Sequence, residues 1–144
     1  MSDDLHRIVA DRIRADGQRY TAQRQDLVAL LDEVDQPLTI PQLLEHRPGL
    51  AQSSAYRNLA VLEKAGVVHR IVTTDEFARY ELAEDLTHHH HHLICSSCGD
   101  VTDFEVPEAM EDELEAALAT VARRTGFRVR HHRLDLVGTC PDCS

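Results

Sequence analysis

The sequence predicts an α+β fold in two units, and three observations carry that reading. Helical periodicity fills most of residues 5–65, and two β-rich runs follow it. Past a short polar stretch, strand, helix and strand patterns alternate between two CxxC pairs. A length of 144 residues leaves room for one ordinary domain or two small ones. With 42% apolar and 28% charged residues, the chain can bury a core and is not disordered throughout.

Leu5, Ile8, Val9 and Ile13 recur at helical spacing, with Arg7, Arg12 and Arg14 around them. Thr21 is placed to cap a second helix containing Leu27, Val28, Leu30 and Leu31. Thr39 can cap a third, with Pro41 tolerated in its first turn and Pro48-Gly49 ending it. Ser53 or Ser54 starts a fourth, about Gln52–Ala65, carrying Ala55, Leu59, Leu62 and Ala65, and Gly66 stops it. Val67–Val72 and Phe77–Leu82 then read as a hairpin across Thr73-Thr74-Asp75-Glu76. Three or four short helices followed by a hairpin spell a winged helix-turn-helix, set against a plain helical packing module with no ligand.

Ala83–Thr87 is polar and separates the two units. Beyond it the chain predicts a strand through the histidines into Leu93-Ile94-Cys95, a CxxC knuckle and a strand Val101–Phe104. A helix follows from about Pro107 to Thr125, with Met110, Leu114, Ala117, Leu118 and Val121 on one face, and Gly126 ends it. A last strand Phe127–Val137 leads to the second CxxC. Its apolar parity slips between Val129 and Leu134, which predicts a bulge or a change of partner near His131–Arg133.

Charge and targeting narrow the function. The formal charge is −10, the wrong sign for a non-specific nucleic-acid binder. Residues 1–82 carry 13 acids and 10 bases, nearly all arginine, whereas 83–144 carry 12 acids and 5 bases. No apolar run nears the roughly 18 residues of a membrane span. The N-terminus is charged and lacks the apolar stretch of a secretory signal, so a soluble, cytoplasmic protein is expected.

Four cysteines stand as Cys95/Cys98 and Cys140/Cys143. Two CxxC turns each present two thiolates, the set that closes a tetrahedral structural zinc site. A redox pair and plain buried thiols are the alternatives. The run His88–His92 is flanked by strand-like residues, and in an extended segment side chains alternate faces. His88, His90 and His92 then point one way, His89 and His91 the other, so one strand can serve two metal sites. Further ligands must come from elsewhere: His69 and Glu81 upstream, Asp103, Glu108, Glu111, His131 and His132 downstream. Imidazole with carboxylate suits zinc, iron, nickel or manganese alike.

The order of motifs resembles the ferric uptake regulator (Fur) superfamily of metal-dependent repressors, most of all its zinc uptake branch. The resembling runs are Thr21-Ala22-Gln23-Arg24, Ser54-Ala55-Tyr56-Arg57-Asn58-Leu59, Ala65-Gly66-Val67-Val68 and Arg79-Tyr80-Glu81-Leu82, then His88 through Gly99 and Gly138 through Cys143. The resemblance implies a winged-helix DNA-binding domain over 1–82, a hinge at 83–87 and a homodimerising metal-binding domain over 88–144. It assigns Cys95, Cys98, Cys140 and Cys143 to structural zinc. His90, His92, Glu81 and Asp103 match a regulatory site at the hinge; His89, His91, Glu111 and His132 match a further site in the dimerisation domain.

Two departures bear on the metal. Many members carry a histidine just before the third helix, where this chain has Gln36-Pro37-Leu38-Thr39. Zinc sensors take a ligand just after the Ala-Gly turn, where His69 stands, and commonly a cysteine near Ala83, where Glu81 or Glu84 would stand in. Zinc is therefore the expected regulatory metal, with iron(II) second.

The expected mechanism is geometric. The four thiolates take four units of charge and three zinc ions would return six, so −10 becomes only −8. Bulk neutralisation cannot switch DNA binding on. A metal joining the wing to the second unit could instead hold two recognition helices about 34 Å apart, one DNA turn. Tyr56, Arg57, Ser54 and Asn58 of the fourth helix would then meet base edges and phosphates, with Tyr20 and Arg24 on the backbone. The expected partners are a double-stranded operator and a second copy, with no membrane and no small-molecule substrate. A zinc hydrolase is the enzyme alternative, but HExxH, a nucleophile elbow and a phosphate loop are all missing. A metal-storage or chaperone protein would use the histidines and cysteines but leave the helix-turn-helix order unexplained.

Overall fold

The computed structural model describes residues 2–34, 36–73 and 77–144. The turn expected at Thr74–Glu76 lies outside the described residues. The first unit contains α1 (Ser2–Ala15), α2 (Ala22–Glu33), β1 (Leu38–Thr39), α3 (Ile40–His46), α4 (Gln52–Lys64), β2 (Val68–Val72) and β3 (Ala78–Leu82). A single 3₁₀ turn, Glu84–Leu86, leads into β4 (His91–Cys95), β5 (Val101–Phe104), α5 (Glu108–Thr125) and β6 (Asp135–Gly138). No helix among the described residues is long and apolar enough to cross a membrane.

Local chemistry sets the helix ends. The Thr21 hydroxyl accepts the Arg24 amide to open α2. Thr39 and Gln42 form a reciprocal capping box on α3. The expectation fails at α4: its cap is Ala51, which has no side chain to offer, and Ser53 and Ser54 lie inside the first turn. Gly66 (φ +77°) and Gly126 (φ +79°) take the left-handed backbone that stops α4 and α5.

Four helices and the wing enclose one apolar core. Val9, Ile13, Val28, Leu43, Leu59, Leu62 and Val67 are completely buried there. The wing sheet runs β1-β3-β2, so the two-residue β1, which periodicity did not reveal, seals the outer edge of β3 through Leu38 opposite Tyr80.

The second unit is built differently. Its sheet runs β5-β4-β6, antiparallel on one side of β4 and parallel on the other. The expected long strand over 127–137 is a correction: 127–134 form no regular structure and β6 begins at Asp135. The slipped parity is explained by this, since Phe127 and Val129 never join the ladder. No residue of α5 is buried, and Met110, Val121, Phe127, Leu136 and Val137 are each at least half exposed. Among the described residues the apolar face predicted on this helix is covered only in part, at Leu114 and Leu118.

Packing in the first unit has a direct cost. Leu43→Ala removes a side chain that is 0% exposed. Denaturant unfolding should show a loss of about 2–5 kcal/mol, as for other large-to-small core changes.

Candidate metal centres and nucleic-acid face

Three groups of metal-ligating side chains occur among the described residues, and within each every ligand atom lies within 4.8 Å of the others. The first is Cys95, Cys98, Cys140 and Cys143. Cys95 ends β4, and parallel pairing sets Gly138 of β6 beside it. The Ser96 amide then donates to the Gly138 carbonyl at 2.7 Å, which delivers the second knuckle across the intervening chain. The amides of Cys98 and Cys140 donate to Cys95 Sγ at 3.5 and 3.4 Å. Those amides lower the Cys95 thiol to a pKa of about 6. The sulfurs of Cys140, Cys95 and Cys98 push Cys143 up to about 12. Four sulfurs this close cannot all ionise alone, and a divalent cation is the charge that would let them.

The second group joins the two units. Glu81, next to last in β3, directs Oε1 to His92 Nε2 at 2.9 Å and Oε2 to His90 Nε2 at 3.0 Å. Asp103 of β5 stands opposite His92, with carboxylate oxygens 3.5 Å from His92 Nε2 and 3.7 Å from His90 Nε2. The outer nitrogens are held as well. His90 Nδ1 donates to the His88 carbonyl at 3.0 Å, and His92 Nδ1 lies 3.6 Å from Asp135 of β6. Such contacts fix which nitrogen faces a metal.

Burial opposes charge on all three central groups, yet partners outweigh it. Burial would raise Glu81, but hydrogen bonding to His92 and the charges of both histidines bring its pKa below the ordinary value. Burial would lower His90 and His92, but the His88 carbonyl for the former and Glu81 for both raise them.

The third group is His89, His91, Glu111 and His132. Three imidazoles converge on the one carboxylate that α5 supplies. His91 Nε2 contacts one Glu111 oxygen; His89 Nε2 and His132 Nε2 lie 3.1 and 3.2 Å from the other. His89 Nε2 is buried without a hydrogen bond of workable geometry despite that proximity. A buried lone pair aimed at two other imidazoles and a carboxylate fits a cation better than it fits protons.

Alternation along the run thus separates His89 and His91 from His90 and His92, although β4 starts only at His91. His88 lies on the His90 side of the run, its ring 6.3 Å from that of His90, but stands outside the three groups and pairs with Glu105 at 2.6 Å. His69, on β2 opposite Glu81, lines the cleft beside the second group but stands outside its converging atoms. Glu108 and His131 join none of the three groups. Glu84, expected as a stand-in beside Glu81, instead touches His89 Nδ1. Neither that contact nor Asp135 behind His92 was foreseen, because sequence spacing does not report which strands run parallel.

The expected DNA face divides. Tyr56 is 54% exposed and Arg57 is exposed on α4, with Ser54 half-buried nearby. Asn58 is a correction: at 4% exposure it faces inward, donating to Gln23 and accepting from Arg24 Nε, both at 3.0 Å. Leu59 and Leu62 are buried on the same side of the helix, which drags position 58 toward the core. Arg24 also donates to the Arg19 carbonyl at 2.6 Å, so it braces α2 against α4. Tyr20 is half-buried and hydrogen-bonds His6.

Comparison with known proteins gives a consistent picture. The family model described as the ferric uptake regulator family matches residues 15–137. The chain is 34% identical to the peroxide-responsive repressor PerR of Staphylococcus saprophyticus, over 91% of this chain and 86% of that one. It is 33% identical to the peroxide operon regulator of Bacillus subtilis, over 93% and 90%. Among solved structures it resembles the ferric uptake regulator of Vibrio cholerae at TM-score 0.69 and 26% identity, covering 89% of this chain and 96% of that one. The Helicobacter pylori regulator, described with three functional metal-binding sites, shares the fold at TM-score 0.76 and 24% identity over 99% and 93%.

The shifted groups give a pH dependence in the absence of metal. Raised imidazole pKa values contribute stability that disappears as pH climbs through them. The lowered Glu81 pKa contributes stability that disappears as pH falls through it. Chelator-treated protein should therefore exceed a matched Glu81→Gln chain in melting temperature most strongly in mildly acidic solution. A gap that stays constant from about pH 5 to about pH 9 would contradict the sign.

Proposed function

The chain belongs to the ferric uptake regulator family, and on that premise we propose a homodimeric repressor whose operator affinity is set at the Glu81–His90–His92–Asp103 group. Members of the family are metal-responsive transcriptional regulators, and this chain is a regulator rather than an enzyme. The observation that carries the proposal is that Glu81 belongs to the wing while its two imidazole partners belong to the second unit. In this reading residues 1–82 are the reader, 83–87 the hinge and 88–144 the dimerising unit.

A divalent ion bound there supplies a joint that is tighter than hydrogen bonds and needs deprotonated ligands. Glu81 would bring the wing strand to it, His90 and His92 the second unit, and Asp103 the neighbouring strand. His69 has a reserve role: burial and then Arg133 hold its pKa down, which favours the neutral ring beside the same cleft. Without the joint, ordering the two units must be drawn from DNA affinity. Tyr56, Arg57 and Ser54 are the α4 residues we assign to the DNA; Arg24 and Tyr20 support that helix and its approach to phosphates. The exposed apolar residues on α5 and β6 are the surface for a second copy.

Zinc is our first choice of regulatory metal, supported by His69 and by the absence of histidine at 36–39. Iron(II) is the second reading, favoured by relatives named as peroxide-responsive. In that case peroxide would oxidise the imidazole of His90 or His92, and the intact mass would rise after exposure. Metal analysis of chelator-free protein, followed by mass measurement with and without peroxide, separates the two.

The switch itself is tested by gel shift on a palindromic operator. Metal should tighten wild-type binding at least tenfold, roughly 1.4 kcal/mol, and His90→Ala should abolish that gain while the protein remains dimeric. Equal affinity with and without metal would refute it. Cys95→Ser should melt or monomerise the second unit, because structural zinc energy is folding energy. A dimer of unchanged melting temperature would remove the cysteines from that role.

A further inference from the structure

We propose that the single turn Glu84–Leu86 is a strut joining the His89–His91–Glu111–His132 group to the reader, with Glu84 positioning His89 and Asp85 gripping Arg12 of α1. The two contacts leave adjacent residues in opposite directions. The Glu84 carboxylate meets Nδ1 of His89, whose other nitrogen faces the group. The Asp85 carboxylate is held by both terminal nitrogens of Arg12, one of them at 3.3 Å. That same Arg12 nitrogen donates to the Gly66 carbonyl at 2.8 Å, immediately past the end of α4.

The base of the turn is fixed to the reader independently. The Ala83 amide donates to the Val67 carbonyl at 2.8 Å, and Leu86 packs against the reader core. Glu84 is the arm that crosses to the second unit. Alone, the Arg12–Asp85 pair would count for little, since Asp85 is 64% exposed. It gains weight because it is two-pronged and shares its arginine with a helix-end carbonyl. Arg12 also holds the Asp85 carboxyl below its ordinary pKa.

The chemistry gives the strut a direction. A metal-bound imidazole is most basic and best oriented when its outer N–H is donated to a carboxylate. Filling the group would therefore tighten Glu84 on His89, and a tightened Glu84 stiffens a turn already tied to α1 and to the end of the recognition helix. Glu81 and Glu84 would then restrain the reader from two points three residues apart, one gripping the wing directly and one acting through the turn. By linkage, filling either group favours filling the other. The proposal rests on the metal reading of the His89 group given above.

The experiment uses the full chain carrying His92→Ala, so that cobalt(II) titration after loading of the cysteine site reports on the His89 group. Glu84→Ala in that chain should weaken cobalt binding about 10- to 100-fold. Glu84→Gln, which keeps an acceptor, should recover most of the loss, and Asp85→Asn, which touches no ligand, should change cobalt affinity by far less than Glu84→Ala does. Spin labels on the reader and on α5 supply the second readout with zinc as the metal. Their distance distribution should narrow on zinc binding in the parent and stay broad in both Glu84→Ala and Asp85→Asn. Equal cobalt affinity in Glu84→Ala and its parent overturns the strut, as does a narrowed distribution in Asp85→Asn. A parent that takes no cobalt at this group overturns the metal reading itself, and the strut with it.

Discussion

A carboxylate at the end of the wing sheet meets two imidazoles from the other half of the molecule, and the relation between the halves depends on that meeting. Glu81 is 9% exposed, so its charge has little water to satisfy it and must be answered by His90 and His92. Without metal the answer is a hydrogen bond from each ring, and Glu81 raises the pKa of both. In the proposed function a cation would make the same atoms a joint between the halves. Switching then lies in geometry rather than in net charge, which suits a chain that stays strongly acidic.

Much of this was legible in the sequence. Period-two geometry divides an extended His run between two faces, and four of the five rings enter the two His groups in that order; Cys spacing and the caps at Thr21 and Thr39 were equally direct. What was illegible depends on long-range placement. Asn58 sits where base-reading side chains sit in the helix pattern, but its neighbours Leu59 and Leu62 turn it into the core. Phe127 to Leu134 carry strand-like residues, yet only the segment that finds β4 as a parallel partner becomes a strand. Glu84 is acidic among acids until the fold brings His89 beside it.

The two units also differ in how they are held together. The reader has an ordinary apolar core and would be expected to stand by itself. The second unit buries Cys95, Val101, His91 and His92, and much of its interior is polar and ligand-forming. Its organisation relies on side chains that converge on points of charge rather than on apolar volume, as expected for a domain too small to bury much surface. One β4 strand carries both His groups and begins the cysteine knuckle, so disturbing any of them strains the same register.

The bare outer side of α5 has a consequence for the cell's supply of this protein. In the proposed homodimer a helix of 18 residues with none buried would take its packing from another copy, and folding of this half would obey mass action. Copy number would then enter the stability: chains at low concentration would leave the helix exposed, and more would be covered as copies accumulate. Occupancy of a promoter would then respond more than proportionally to expression, before any change in the metal supply.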